Sequence, residues 1–321
     1  MTFINNRSAS RFLNKWIRAT KFLETMDKVI PWESLTSMID DSREETDGRK
    51  WWRPRVTTEK MMRMYFLSQW FNLSDVLTEE NIYDRLSFQY FMNIDVVTDQ
   101  VPDSTTLCIF RHFLEEKELW KEILRIMNNQ LEEAEIILTW WKLVDATIIK
   151  APSSTKNMDN ARDPEMSSTK KRGNRHFWAK IHIGTDTKWY IKEMQATTAK
   201  VHDSQVYDDL ISEEDNHSLW DAAYIGEKIE NAAKAKWIAH VAMKKRKRWQ
   251  KRLCIKDRLW NTILSMPRKV VEFPFGVIKN LRWHRKTRYR WLEKLKTQRY
   301  TLSGLCNVYR ARKELLSRRF W

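Results

Sequence analysis

A single carboxylate, Asp145, stands inside a short apolar run made by Leu143, Val144, Ile148 and Ile149. β-Branched residues dominate the run, which predicts a buried strand rather than a helix. A charged Asp in such a strand is costly unless something pairs with it. A metal ion is one common partner when the strand belongs to a catalytic α/β domain. The segment that follows, Ala151 to Lys171, is rich in Ser, Thr, Asn, Asp and Lys. It reads as a long polar loop, and such loops in compact domains are usually functional or disordered. Two further carboxylates stand far along the chain, Asp221 and Glu272.

Charge is unevenly spread. From Lys236 to Trp321 there are 26 basic and 4 acidic residues, whereas the first 235 residues carry a net charge of −6 within a total of +16. A basic end on an otherwise acidic chain points to a polyanion, most often nucleic acid, with a solvated surface as the plain alternative. The cysteines, Cys108, Cys254 and Cys306, are isolated, so neither a zinc cluster nor a disulfide framework is expected. The expected setting is the cytosol. No signal peptide is expected, and no apolar run is long enough to span a membrane.

The elements that must position the carboxylates come in two blocks. Up to about residue 135 the pattern is helical. Phe22, Leu23, Met26, Val29 and Ile30 share one face before Pro31 stops the helix. Thr57, Ser74 and Asp103 are placed to cap or start further helices, and a last one runs from about Glu118 to Ala134. Short helices with brief joints can hold a helix-turn-helix, and they equally suit a plain bundle. From Ile136 strands take over: Leu143 to Ile149, His176 to Thr185, Trp189 to Thr197, His217 to Ala223 and Ile238 to Met243. A helix, Val201 to Ser212, interrupts them with Val206, Leu210 and Ile211 inward, and the chain from Thr262 is helical again. Three strands, a helix, a strand and late helices is the element order of an RNase H-like fold. There the first strand, the fourth strand and a late helix meet at one point, and these carry Asp145, Asp221 and Glu272.

The wording of the chain adds to this. Ile30-Pro31-Trp32-Glu33-Ser34-Leu35, the stretch Tyr65 to Asp75, and Val101-Pro102-Asp103-Ser104-Thr105-Thr106 form one set of motifs. VDATIIKAPSSTKN, RDPEMSSTKK and Val271 to Lys279 form another. Over nearly its whole length the chain resembles the DDE transposases of bacterial insertion sequences, in particular the insertion sequence 5 family. Arg268, Glu272 and Lys279 keep the R-x3-E-x6-K spacing of related transposases, although Ser265 stands where the broader pattern has Tyr.

The resemblance implies a metal-binding catalytic triad of Asp145, Asp221 and Glu272. It implies two Mg2+ (or Mn2+) ions that stabilise the attacking and leaving oxygens of a phosphodiester displacement. It also implies double-stranded DNA, both element ends and target, as partner, and a homo-oligomer of two or more chains. On a continuous helix Arg268 and Lys279 would lie near the face of Glu272. Phosphate contact and an ion pair with Glu272 are both open to them, and Pro274 is placed to kink the helix. Lys156, Arg162, Lys170 and Lys171 in the polar loop, and the run Lys244-Lys245-Arg246-Lys247-Arg248, read either as DNA contacts or as solvated charge. His182, His202 and Asp203 are expected in core or capping roles.

One anomaly remains. The chain has 17 Trp and 6 Gly, where a globular chain of this size carries about twenty Gly. Trp51, Trp52, Trp140, Trp141, Trp178, Trp189, Trp220, Trp283 and Trp291 stand where family members have glycine, with Trp120, Trp249 and Trp260 as further candidates. Replacement mainly by one residue type points to UGA codons rendered as Trp and read as Gly by the host. Trp32 and Trp70 match family tryptophans.

The expectation is therefore an α/β (mixed α+β) chain. Residues 1–135 form an all-helical N-terminal domain suited to binding DNA ends. Residues 136–321 form an RNase H-like DDE catalytic domain with a basic insertion around 225–262. The expected activity is metal-dependent cleavage and strand transfer. The alternatives are a catalytically inactive DNA-binding remnant or an RNA-processing nuclease on the same fold.

Overall fold

The protein is described by a computed structural model covering residues 18–43, 56–138, 141–152, 162–163, 165–171, 174–212, 215–220, 227–244, 246, 250, 252–281 and 286–318. The chain divides into two units, Met1–Met127 with Val308–Trp321, and Asn128–Asn307. The expected boundary near residue 135 thus differs from the observed division, which also assigns the end of the chain to the first unit.

The first unit is helical: α1 (Arg18–Val29), α2 (Trp32–Asp41), α3 (Thr58–Trp70), α4 (Asp75–Asp84), α5 (Leu86–Met92), α6 (Ser104–Glu116) and α7 (Trp120–Glu133), whose last turns belong to the second unit. Three starts are fixed by side-chain caps that accept an otherwise orphaned amide. Thr57 accepts from the Lys60 amide at 3.4 Å, Ser74 from Leu77 at 3.2 Å, and Asp103 from Thr106 at 2.5 Å. α3 is buried around its whole circumference from Met61 to Trp70. Its run MMRMYFLSQW is apolar on every side, so it becomes the centre of the bundle. Arg63, in that run, is buried against Asp27 at 2.6 Å and Glu59 at 2.8 Å.

The second unit is built on six strands among the described residues: β1 (Trp141–Lys150), β2 (Ser167–Lys171), β3 (Asn174–Thr185), β4 (Ile191–Thr198), β5 (His217–Trp220) and β6 (Ala239–Ala242). The order is β2-β3-β1-β5-β6, with β4 also on β3. β1, β3 and β4 run antiparallel in turn, and β5 and β6 are parallel to β1. This is the mixed sheet expected of the RNase H-like order. Between β4 and β5 a 3-10 turn (Asp203–Val206) and a single helical turn, α8 (Tyr207–Leu210), bury Val206, Leu210 and Ile211 against Val144 as their spacing predicts. α9 (Glu227–Ala235) connects β5 to β6, so part of the stretch expected as a basic insertion belongs to the sheet. α10 (Ile255–Val270), α11 (Glu272–Gly276), a π-helical turn (Val277–Leu281) and α12 (Leu292–Arg318) complete the unit, and α12 ends in the first unit.

Two expectations are corrected. The polar loop does not run to Lys171, because Ser167–Lys171 is β2, paired antiparallel with Asn174–Trp178. Pairing with a neighbour, not apolar periodicity, makes this strand. The helix carrying Glu272 is not continuous. α10 ends at Val270 and a turn at Val271 precedes α11. Pro274 has no N–H, and its ring opposes the carbonyl four residues back, which is that of Val270.

The tryptophans carry a backbone signature. Trp189 (φ 64°) and Trp291 (φ 72°), both in the glycine-like set, occupy the left-handed region, as does Trp237 (φ 56°), which is outside that set. Trp237 follows α9. Its amide donates to the Lys234 carbonyl at 3.1 Å, and the Ile238 amide donates to that of Ala233 at 2.9 Å. This is the helix-terminating motif whose left-handed residue is usually Gly.

Candidate active site

Asp145 lies on β1, the strand paired on both sides, opposite Ile183 of β3. Its side chain is half-buried, and one oxygen accepts from the Ala146 amide at 2.9 Å. β1 and β5 run parallel with Leu143 beside Leu219. Asp221 lies outside the described residues. Glu272 opens α11 and is exposed. α10, just before it, packs against both β1 and β5. The sequence places Glu272 more than 120 residues from Asp145, and the fold returns the Glu272 motif to β1.

Lys279 makes that return specific. It sits in the π turn, half-buried, with its ammonium donating to Thr147 Oγ1 and to the Ile148 carbonyl at 3.2 Å. The partners stand two and three residues beyond Asp145. π turns are rare and are frequent at functional sites; here the wider turn carries the lysine of the R-x3-E-x6-K motif. Beside it a small apolar pocket is lined by Thr147, Ile149, Ile183, Phe275, Ile278 and Arg299, among others. Burial lowers the Arg299 guanidinium to about 9.

The remaining predicted site residues are scattered. Arg268 lies on α10, with its side chain outside the described residues. Arg162 is exposed, 5.9 Å over the Phe177 ring. Lys170 and Lys171 belong to β2, and the described backbone pairs them with Arg175 and Asn174. Lys244 and Arg246 are exposed. The Lys244 backbone is tied to Asn261 of α10 at 2.8 Å and 3.0 Å. Lys156, Lys245, Lys247 and Arg248 lie outside the described residues. His182 is a buried core residue 3.0 Å from Thr197 Oγ1, as expected, and His202 is exposed. Asp203 opens the 3-10 turn.

Sequence reasoning missed a buried ion cluster at the start of the strands. Asp215 is fully buried; it pairs with Lys142 of β1 and, at 2.8 Å, with Lys192 of β4. It also accepts from the Ser212 amide at 2.9 Å and the Ser212 hydroxyl at 3.0 Å. Burial opposes ionisation of Asp215, but Lys142 and Lys192 outweigh it and hold the carboxyl below its ordinary value. Burial pushes the Lys142 ammonium down against the pull of Asp215. The cluster joins the entry to β5 with the beginnings of β1 and β4. Lys142 stands three residues before Asp145, and its stem passes close to Gly184, where a Cβ would come within 3.1 Å of it. No periodic pattern announces such a cluster; an isolated Lys at the head of an apolar strand is the only cue.

Sequence reasoning also missed the role of the RDPE stretch. Asp163 is buried, and its carboxylate accepts from the Trp291 amide at 2.5 Å; Glu165 accepts from the Leu292 amide at 2.6 Å. These two acids therefore cap α12.

Among the described residues no three His, Cys, Asp or Glu side chains gather as a metal cluster, and two of the three predicted ligands fall within that set. Carboxylate oxygens are the donor type that suits a hard divalent cation. No described helix is long and apolar enough to cross a membrane.

Two family models match the chain. "Transposase domain (DUF772)" matches residues 11–113, and "Transposase DDE domain" matches residues 142–308. Among solved structures, the chain is similar to the piggyBac transposase in a cryo-EM synaptic complex with hairpin DNA. That match has 10% identity, covers 94% of this chain and 75% of that chain, and has a TM-score of 0.43.

Proposed function

The chain belongs to the transposase DDE domain family and is a DNA transposase, and we propose that it binds the terminal inverted repeats of an insertion sequence, cuts them and joins them to target DNA. The family generally uses divalent metal ions. In this reading Asp145, Asp221 and Glu272 hold two Mg2+ or Mn2+ ions, and the chain works as a homo-oligomer that brings two ends together. The helical first unit serves end binding, and the second unit does the cutting.

The observation that carries the reading is the Lys279 contact. It joins two family-like motifs separated by 132 residues at a point two residues from Asp145. The parallel register of Leu143 with Leu219 adds support.

When bound, the metal ions supply an activated oxygen nucleophile and stabilise the leaving oxygen. The chain's own residues do the rest. Asp145 is carried by a strand paired with β3 along its length and with β5 at its start, which fixes the backbone from which its carboxylate projects. Glu272, exposed at the first position of its helix, remains accessible to a ligand. Lys279 fixes the π turn to β1 and brings a cation close to the strand that bears Asp145. Arg268 and Lys279 are assigned to phosphate contact.

The test is strand cleavage with Mg2+ of a duplex carrying the gene's genomic flanks. Asp145→Asn, Asp221→Asn and Glu272→Gln should each lower cutting by at least about 100-fold with end binding retained. Normal cutting by any one of them removes that residue from the site. Cutting of RNA or an RNA–DNA hybrid in preference to duplex ends would overturn the transposition reading of the site.

A further inference from the structure

We propose that Lys150, Arg162, Lys286, Arg288 and Arg290 form a separate cationic track that holds the phosphate backbone of duplex DNA where it passes the end of β1, outside the cutting site. The assignment of that DNA to the cutting site rests on the reading of Asp145 given above. The track itself is built from three chain segments. Lys150 is the last residue of β1, and Lys286 forms a parallel β-bridge with it. The Thr287 amide donates to the Lys150 carbonyl at 2.8 Å. Arg162 enters the same neighbourhood because Asp163, next to it, accepts from the Trp291 amide. The residues that follow Lys286 therefore run from the end of β1 to the RDPE stretch.

Charge is unbalanced there. The two acids of the cluster, Asp163 and Glu165, are turned onto backbone amides at Trp291 and Leu292. No described carboxylate makes an ion pair with any of the five cations. Four of them lie over aromatic rings instead: Lys150 at 6.0 Å from Trp178, Arg162 at 5.9 Å from Phe177, Arg288 at 5.1 Å from Tyr289 and Arg290 at 5.8 Å from Trp291. Glycine at 178 and 291 would remove two of those rings and leave every cation as unneutralised as before. Lys150, Arg162 and Lys286 are exposed. Gathered cations with no counter-charge among the described residues call for an external anion, and the guanidinium fork matches phosphate oxygens.

Lys150 lies five residues beyond Asp145, an odd separation that puts its side chain on the other face of the strand from the Asp145 carboxylate. The track therefore engages backbone around the end of β1, outside the cut, and it does so without reading sequence.

The experiment is a salt titration of binding by the full chain to a labelled mixed-sequence duplex. Each phosphate contact contributes about 0.9 to the slope of log K against log salt. Lys150→Gln/Lys286→Gln/Arg288→Gln should lower that slope by about 2 to 3, and Lys150→Arg/Lys286→Arg should keep it. Because Lys150 and Lys286 are exposed, their single Gln variants provide a folded check if the triple variant melts early. On the gene's flanking duplex, ethylation of phosphates outside the cut should weaken the parent at the contacted positions and leave the triple variant unchanged there. An unchanged slope in the folded single and triple variants would overturn the track. Asp145→Asn separates the two readings: it should leave the slope intact, and if it continues to cut, the cutting site is wrong while the salt result still judges the track.

Discussion

In the first unit Arg63 lies 4.3 Å over the Trp32 ring, with Asp27 and Glu59 on its guanidinium. In the second, Arg288 lies 5.1 Å over Tyr289, and no described carboxylate reaches it. Arg111 is likewise neutralised inside the fold, by Asp75 at 2.6 Å. Arg290 and Lys150 repeat the second. The aromatic neighbour is common to both settings, so it does not distinguish them; the counter-charge does. A cation neutralised inside the fold holds helices together. A cation left with rings alone leaves its charge for a ligand to neutralise.

The sharpest way to break this comparison is to remove one member of a buried pair. Asp215→Asn should cost about 3–5 kcal/mol, because Lys142 and Lys192 are left buried without compensation. Arg63→Met should cost less, about 1–3 kcal/mol, because Asp27 and Glu59 stay partly exposed and the loss is that of the hydrogen bonds of a buried guanidinium. Chemical denaturation with a common baseline reads it. If Arg63→Met unfolds no more easily than Arg288→Gln, the division between internal and outward-serving cations fails.

The next effect in size concerns the tryptophans. An L-residue in the left-handed region costs about 1–2 kcal/mol, so glycine at 189, 237 and 291 should each stabilise by that amount. The prior question is which residue the host inserts. Reading the codons at these positions, with peptide masses across Trp189, Trp220 and Trp291, decides it. UGA with a glycine mass gives the enzyme an unstrained backbone at these turns. UGG with a tryptophan mass makes the strain real and favours the inactive-remnant alternative.

Acid should expose the buried cluster. The folded-state value of Asp215 lies below the ordinary aspartate value of about 3.9. Its stabilising contribution is therefore complete above that value and is lost as pH falls through the folded value. Asp186 runs the other way: burial raises it, despite three backbone amides that donate to its oxygens. Its contribution is present at low pH and is lost as pH rises through its folded value. Melting curves from about pH 5 to about pH 2 should show a steeper acid loss in the parent than in Asp215→Asn. Equal slopes would show that the cluster is not ionised as described. The smallest effect is expected at Arg288→Gln, within about 0.5 kcal/mol of the parent in stability.

What was legible in the sequence follows from distance along the chain. The caps at Thr57, Ser74 and Asp103 were readable because donor and acceptor are three residues apart. β1, β3 and β4 were readable from β-branched and apolar runs, and Val206, Leu210 and Ile211 from their spacing. β2 was not, because SSTKK becomes a strand only by pairing with Asn174–Trp178. The Lys279 contact, the Asp215 cluster and the Lys150–Lys286 bridge join residues far apart, and no local pattern encodes them. The charge of Arg162 is plain in the sequence, whereas the capping roles of Asp163 and Glu165 beside it are not, because their partners lie 128 and 127 residues away.

That last separation has a consequence for how the protein is made. Asp163 and Glu165 leave the ribosome more than a hundred residues before the amides they cap. Until residues 291 and 292 emerge, both acids wait in a partly built sheet, and α12 starts without its acceptors. Closing so long a loop is entropically costly and slow. Helix α12 should therefore dock late, and a nascent chain stalled before Trp291 should remain protease-sensitive around residues 162–166.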